Sequence, residues 1–272
     1  IPFSNIDQLG GAGVTVDSGD SYGIGFLMFN CQKEPFNDKR VRQAFHYAID
    51  YDKLIKNQLG GNAETLTSYL PKDNPAYHEA STVYKYDPEK AKALLKEAGQ
   101  ENLEVKLLVI DNWIKDLSAQ IQQDLQAVGM NVTLDVQAAP YPTMAASKTD
   151  EILPFDVFLA PGDVACFGTN ADVHLAWFYG ENTDWCQGRS CWAEAGDGKC
   201  QEFNEYLDQA RKATDAKTRQ AAYNKCFDII SEEVPLYPPF HKKVVTGYWA
   251  GLLQGFEPHP TPGLSFQNAP PQ

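Results

Sequence analysis

Residues 103–136 read LEVKLLVIDNWIKDLSAQIQQDLQAVGMNVTLDV, and this stretch decides the fold class. Leu103, Val105, Leu107 and Val109 recur at every second position, the period of a strand. Leu117, Ile121, Leu125 and Val128 recur three and four apart, the period of a helix, and Gly129 stops it. Val132, Leu134 and Val136 return to the strand period. Strand, helix and strand with short joints predict a parallel crossover unit of right-handed sense.

The same reading extends outward in both directions. Residues 4–21, rich in Gly, Asp and Ser, read as loop, and Tyr22, Ile24, Phe26 and Met28 open a strand that ends at Asn30-Cys31. Asp38 caps a helix with the apolar stripe Val41, Ala44, Phe45, Ala48 and Ile49. Asp50 caps a second, stopped by Gly60-Gly61, and Asp87-Pro88-Glu89 starts a third. Phe155–Ala160 reads as a buried strand, and residues 161–200 show no sustained period. Two helices are expected near 201–213 and 217–232, a last strand around Val244, Val245 and Tyr248, and an irregular Pro-rich tail from Pro258.

Composition narrows the function classes. Among 272 residues, 23 Lys and Arg stand against 36 Asp and Glu, a net charge of −13, which repels phosphate backbones and disfavours nucleic acid. No apolar run approaches the ~20 residues needed to span a bilayer. The opening Ile1-Pro2-Phe3-Ser4 reads as a processed or trimmed start. Six cysteines, at 31, 166, 186, 191, 200 and 226, fit disulfides in an exported protein, with at least one bridge expected within 186–200. Zinc is the rival, disfavoured because there is no C-x2-C pair and no H-x3-5-H spacing.

Catalytic constellations are missing: there is no G-x-S-x-G, H-E-x-x-H or G-x-x-x-x-G-K-[ST]. His46 beside its apolar stripe reads as structural, and Glu232-Glu233 at a helix end read as surface charges. One polar feature stands out. The strand 155–160 runs into Pro161-Gly162-Asp163, and open α/β sheets place ligands beyond the C-terminal ends of parallel strands. A carboxylate there can pair with an ammonium group, or it can simply cap a turn.

Four motifs, in order, carry a resemblance. Asn30 through Asp50, with Pro35-Phe36, Asp38, Arg40-Val41-Arg42, Ala44 and Ala48-Ile49-Asp50, is the first. Tyr86-Asp87-Pro88-Glu89-Lys90-Ala91 with Leu94-Leu95 and Ala98-Gly99 is the second. Ile121-Gln122 through Gly129 follows, then Arg219, Tyr223 and Glu232 to Pro238. Together they resemble the extracellular solute-binding proteins of peptide ABC transporters, solute-binding family 5, over about residues 20–250.

The resemblance implies an α/β, periplasmic-binding-protein-like (type II) lobe with a mixed, largely parallel sheet flanked by helices. It implies a C-terminal half of a two-lobe protein: 1–29 a remnant of the first lobe and hinge strand, 30–246 the second lobe, 247–272 a return segment. Asn30 and Cys31 would then be the hinge, and Asp163 would pair with a peptide's α-ammonium, although Ala160 and Phe167 replace the Trp and Pro of the family setting. Asn112 and Trp113 after one parallel strand, Tyr141 after the next and Phe167 complete the expected ligand wall, with packing roles as the alternative. The implied partners are a peptide or small solute and ABC permease subunits. No cofactor, metal or nucleic acid is expected. The implied location is extracellular or periplasmic, with the membrane reached only through a lipoprotein anchor that lies outside this chain. The rival functions are a secreted hydrolase using acidic cleft residues and a metal- or haem-type binder of the same family.

Overall fold

The computed structural model describes residues 5–138, 155–163 and 167–252. In chain order its main elements are α1 (Ile6–Gly11), β1 (Thr15–Phe29), α2 (Lys39–Ala48), α3 (Tyr51–Gln58), β2 (Ala63–Thr65), α4 (Pro88–Glu97) and β3 (Glu104–Ile110). Then follow α5 (Lys115–Gln126), β4 (Asn131–Gln137), β5 (Val157–Asp163), α6 (Ala171–Tyr179), α7 (Lys199–Lys212), α8 (Ala216–Glu233) and β6 (Leu236–Tyr248). The described strands form one mixed sheet in the order β2-β6-β1-β5-β3-β4.

The crossover unit forms as its periodicity requires: β3 lies parallel to β4, with Val105 opposite Val132 and Val109 opposite Val136, and parallel to β5. The parallel part ends there. β1 runs antiparallel to β5 and β6, and β2 antiparallel to β6. The sheet is mixed as the resemblance implied, though among the described strands two pairings are parallel and three antiparallel, a smaller parallel share than that resemblance implied. Helices cover both faces. The Phe26 ring meets Phe178 of α6 at 6.0 Å, whereas a side chain on the neighbouring Gly25 would strike Ile114 at the start of α5. Among the described residues, no helix is long and apolar enough to cross a membrane.

Helix starts follow the local chemistry. Asp38, Asp50 and Asp87 accept hydrogen bonds from the main-chain N–H groups of Arg40, Lys53 and Lys90, at 2.9, 3.0 and 2.9 Å. Three segments differ from their sequence reading. Residues 4–21 are not all loop: α1 and the outer part of β1 occupy them, because Thr15–Gly19 pair with Val244–Tyr248 through main-chain bonds that need no apolar pattern. β6 starts at Leu236, well before Val244, because Pro238 and Pro239 fall at the register shift between Gly25 and Leu27, where the ladder requires no donor. α6 lies inside the stretch without a period: its sequence ADVHLAWFY is apolar on several sides, which hides the stripe.

One packing feature ties the ends of the chain together. Arg42 is fully buried and donates to the carbonyls of Phe36 (2.8 Å), Asn37 (3.0 Å) and Glu233 (2.7 Å) and to Glu233 Oε2 (3.3 Å). Glu233 is therefore a buried partner and not a surface charge: it is 1% exposed and also meets Lys39 at 3.2 Å. Burial raises its pKa against the pull of those cations.

Candidate functional site

The C-terminal ends of β3 and β5 lie side by side, because the two strands are parallel and Val109 is opposite Leu159. β3 stops in a side-chain turn: Asn112 Oδ1 accepts from the Ile114 N–H at 3.0 Å, which starts α5 and leaves Trp113 half-buried at the tip. Asn112 itself is exposed. Ile114 packs down onto β1, and the fit leaves no room for a side chain at Gly25. A Cβ there would sit 2.8 Å from Ile114 Cδ1 and 2.9 Å from Phe240 Cζ.

Gly23 lies two residues further along β1, opposite Lys242 of β6 on one side and Asp163, the last residue of β5, on the other. The three residues form one row across the sheet. A Cβ on Gly23 would meet Lys242 Cε at 3.2 Å, so the lysine side chain lies across the glycine. Its Nζ reaches 5.3 Å from the centre of the Trp113 ring, a cation–π contact. Ser21 holds this end of β1 in place: its hydroxyl donates to the Lys242 carbonyl at 2.5 Å and accepts from the Gly23 N–H at 3.1 Å. The result is an aromatic wall and an ammonium group over a floor without side chains.

The expected site residues are only partly gathered. Asn112, Trp113 and the main chain of Asp163 come to the same strand ends. Tyr141 lies outside the described residues. Phe167 joins another aromatic group, against His174 (5.4 Å between rings) and Trp177 (5.7 Å), with His174 in turn against Tyr22 and Tyr69. The cavity between Tyr22, Tyr69, His174 and His241 has a volume of about 10 Å³, room for one water at most. A far roomier groove, about 620 Å³, lies between α6 and α7 and is lined by Asn182, Asn204, Asp208 and Arg211. It is open and lacks aromatic walls, and we place the site at the strand ends because aromatic surface and fixed charge meet there.

Asn30 and Cys31 sit at the far end of β1 and are fully buried. The Asn30 N–H donates to Asp156 O (3.0 Å), its side-chain amide to Phe155 O (3.2 Å), and the Cys31 N–H to Ser190 O (2.8 Å). Burial pushes the Cys31 thiol up to about 12, so it stays protonated. The five described cysteines are buried, and Cys31, Cys186, Cys200 and Cys226 are unbridged. Cys186 and Cys200 nevertheless bring their sulfurs to 3.4 Å, and the hydrogen bond between them holds the Cys186 thiol below its ordinary value. Among the described residues, no three His, Cys, Asp or Glu side chains are grouped to hold a metal ion.

Lys242, Gly23 and Ser21 escaped the sequence reading. The one signal available was Lys242-Lys243 directly after Phe240-His241, a charge in a segment that Pro238-Pro239 made look irregular.

The chain is 26% identical over 237 residues to the probable ABC transporter periplasmic-binding protein SapA of Escherichia coli, covering 79% of this chain and 38% of that protein. It is 36% identical over 122 residues to the Escherichia coli dipeptide-binding protein, covering 41% of this chain and 22% of that one. The chain spans less than half the length of these curated relatives. The structure of a Pseudoalteromonas dipeptide-binding protein with Met-Leu superposes with a TM-score of 0.75 at 23% identity, over 99% of this chain and 52% of that one. Brucella suis NikA with Fe(III)-EDTA superposes with a TM-score of 0.83 at 18% identity, over 100% of this chain and 56% of that one. These likenesses show a type II periplasmic-binding-protein fold. The profile described as bacterial extracellular solute-binding proteins, family 5 Middle, matches residues 1–173, and the chain therefore belongs to that family.

Proposed function

We propose that this chain supplies one wall of the ligand cleft in a solute-binding protein that captures peptides, or a related small solute, for an ABC importer. The observation that carries this reading is the convergence of β3 and β5 on the Gly23 row. Family membership supports a solute-binding role, and the row offers Trp113 and an ammonium group beside a glycine. The protein binds and releases without turnover, and a second lobe closes over the solute. The lobe runs from 30 to 246 together with the inner part of β1. The outer β1–β6 ribbon, Thr15–Gly19 with Val244–Tyr248, serves as the crossing in place of Asn30 and Cys31, whose enclosed, hydrogen-bonded main chain leaves no freedom to bend. The location is periplasmic or extracellular, with a lipoprotein anchor and permease subunits as partners. In that oxidising setting Cys186 and Cys200 close a disulfide, which counting of free thiols checks.

Asp163 takes the solute's ammonium group. The test is calorimetric and fluorescence titration of the natural full-length protein with a peptide library. Saturation without product formation is expected, and Asp163→Ala should weaken binding by about 2–4 kcal/mol. Product formation, or a loss below about 0.5 kcal/mol, refutes the corresponding part of the reading.

A further inference from the structure

We infer that the small chamber on the α6 face of the sheet is a binding site for one water molecule, held by Tyr69, His174 and His241. This goes beyond solute capture and does not depend on it. Three residues that line the chamber each carry a buried polar atom with no hydrogen-bond partner among the described residues: the Tyr69 hydroxyl, His174 Nδ1 and His241 Nε2. The residues are 4%, 0% and 4% exposed, so bulk solvent does not serve these atoms. Ile24, Leu66 and Leu70 line the chamber with apolar surface, which offers them nothing either. Buried polar atoms are rarely left unpaired, because the desolvation cost is then uncompensated.

The protons can be placed from the partners the rings do have. A carbonyl oxygen only accepts. His174 Nε2 lies 2.9 Å from the Gly168 carbonyl, and His241 Nδ1 lies 2.8 Å from the Ser21 carbonyl, so these two nitrogens carry the hydrogens. In the neutral rings His174 Nδ1 and His241 Nε2 are therefore acceptors. Burial favours the neutral form of His174 and keeps the Tyr69 hydroxyl protonated, a donor. Two acceptors and one donor are the complement of a single water: its hydrogens go to the two imidazoles and its oxygen accepts from Tyr69. The chamber holds about 10 Å³, the size of one molecule, and three bonds is the usual number for a buried water. The Glu64 carboxylate stands 3.7 Å from His241 Nε2, too far for a direct hydrogen bond, and does not take that place.

The water joins three segments distant in sequence: the chain after β2, helix α6 and strand β6. Through His174 it reaches Gly168, in the turn before α6, and through His241 it reaches Ser21, whose hydroxyl holds Gly23 and the Lys242 main chain. It is the middle link of a hydrogen-bonded chain that braces the end of β1 from behind.

The experiment combines a high-resolution crystal structure of the natural full-length protein with thermal melts of the protein and its Tyr69→Phe variant, which removes one oxygen and keeps the ring. The map should show a water oxygen within about 3.2 Å of all three atoms. Tyr69→Phe should lower the Tm by about 2–4 °C, because a made hydrogen bond is lost. An unbonded buried hydroxyl behaves oppositely: its removal leaves the Tm unchanged or raises it. That result overturns the inference, as does a map without density between the three atoms, or an anomalous signal showing a metal ion there. Should Tyr69→Phe fail to fold, the map of the unmodified protein decides by itself.

Discussion

The two ends of β1 are built by opposite means. At the Phe29 end every position is filled. Phe29 packs against Phe36, Phe45 and His46 at 6.3, 5.2 and 5.8 Å, and the buried guanidinium of Arg42 nearby is surrounded by acceptors. At the Gly23 end the strand is stripped: two glycines alternate with larger residues, and neighbouring strands reach over them. A packed end gains stability from buried area and paired charge. At the stripped end the places over the glycines are taken by side chains from other elements, Ile114 and Phe240 at Gly25 and the Lys242 arm at Gly23. One strand thus anchors the fold at one end and carries the candidate site at the other.

The contrast breaks most directly at Arg42. Arg42→Met removes its donors from three carbonyls and leaves the buried Glu233 carboxylate with Lys39 as its one ion-pair partner among the described residues. Urea unfolding should show a loss of about 3–5 kcal/mol. A loss under about 1 kcal/mol would mean that the packed end does not depend on its charges.

His46 gives the same end a pH dependence. It is fully buried among Tyr51, Tyr84 and Tyr237, with Nδ1 2.7 Å from the Tyr51 hydroxyl, and burial holds its pKa down at about 3. In the unfolded chain the imidazole titrates near ~6.5. Below that pH the unfolded state binds a proton that the folded state refuses. The contribution of neutral His46 is therefore complete above the unfolded value and is lost as pH falls from there towards 3. Between pH 7 and 5 the loss should reach about 2 kcal/mol. His46→Phe should show that much less dependence in paired denaturation curves; equal slopes in both proteins would exclude His46 as the cause.

The glycines sharpen the contrast at the smallest scale. Gly25→Ala forces a Cβ to within 2.8 Å of Ile114 and 2.9 Å of Phe240, and should cost about 1–3 kcal/mol. Gly23→Ala meets Lys242 Cε at 3.2 Å, Ser21 Oγ at 3.3 Å and Lys242 Cγ at 3.4 Å, milder contacts, so its stability loss should stay below about 1 kcal/mol. Equal stability losses for the two would remove the distinction between floor and core.

Local chemistry made much of this fold legible in advance. The crossover unit, the capping aspartates and the last two long helices are encoded within a few residues of themselves: alternation, a three-four period, or a side chain that reaches the next turn. The candidate site was legible where it follows from strand ends, as with Asn112, Trp113 and Asp163. It was not legible where it depends on pairing. Nothing near Pro238-Pro239 announces that β6 has begun, because the prolines are admitted by a register shift that β1 makes.

The sequence by itself determined most of the elements and the family, but not that Pro161-Gly162-Asp163, expected as a loop, continue β5. Tertiary structure alone decided that Glu233 is a buried counter-charge, that Asn30 and Cys31 are enclosed in the core, that Phe167 turns to His174, and that Lys242 comes to Trp113 across Gly23. The physical reason is distance along the chain. Periodicity and capping act over one or two turns. Glu233 lies 191 residues from Arg42, and Gly23 and Trp113 lie more than a hundred from Lys242; the Lys242 contacts form only when the antiparallel ladders of β1 fix which residues stand opposite one another.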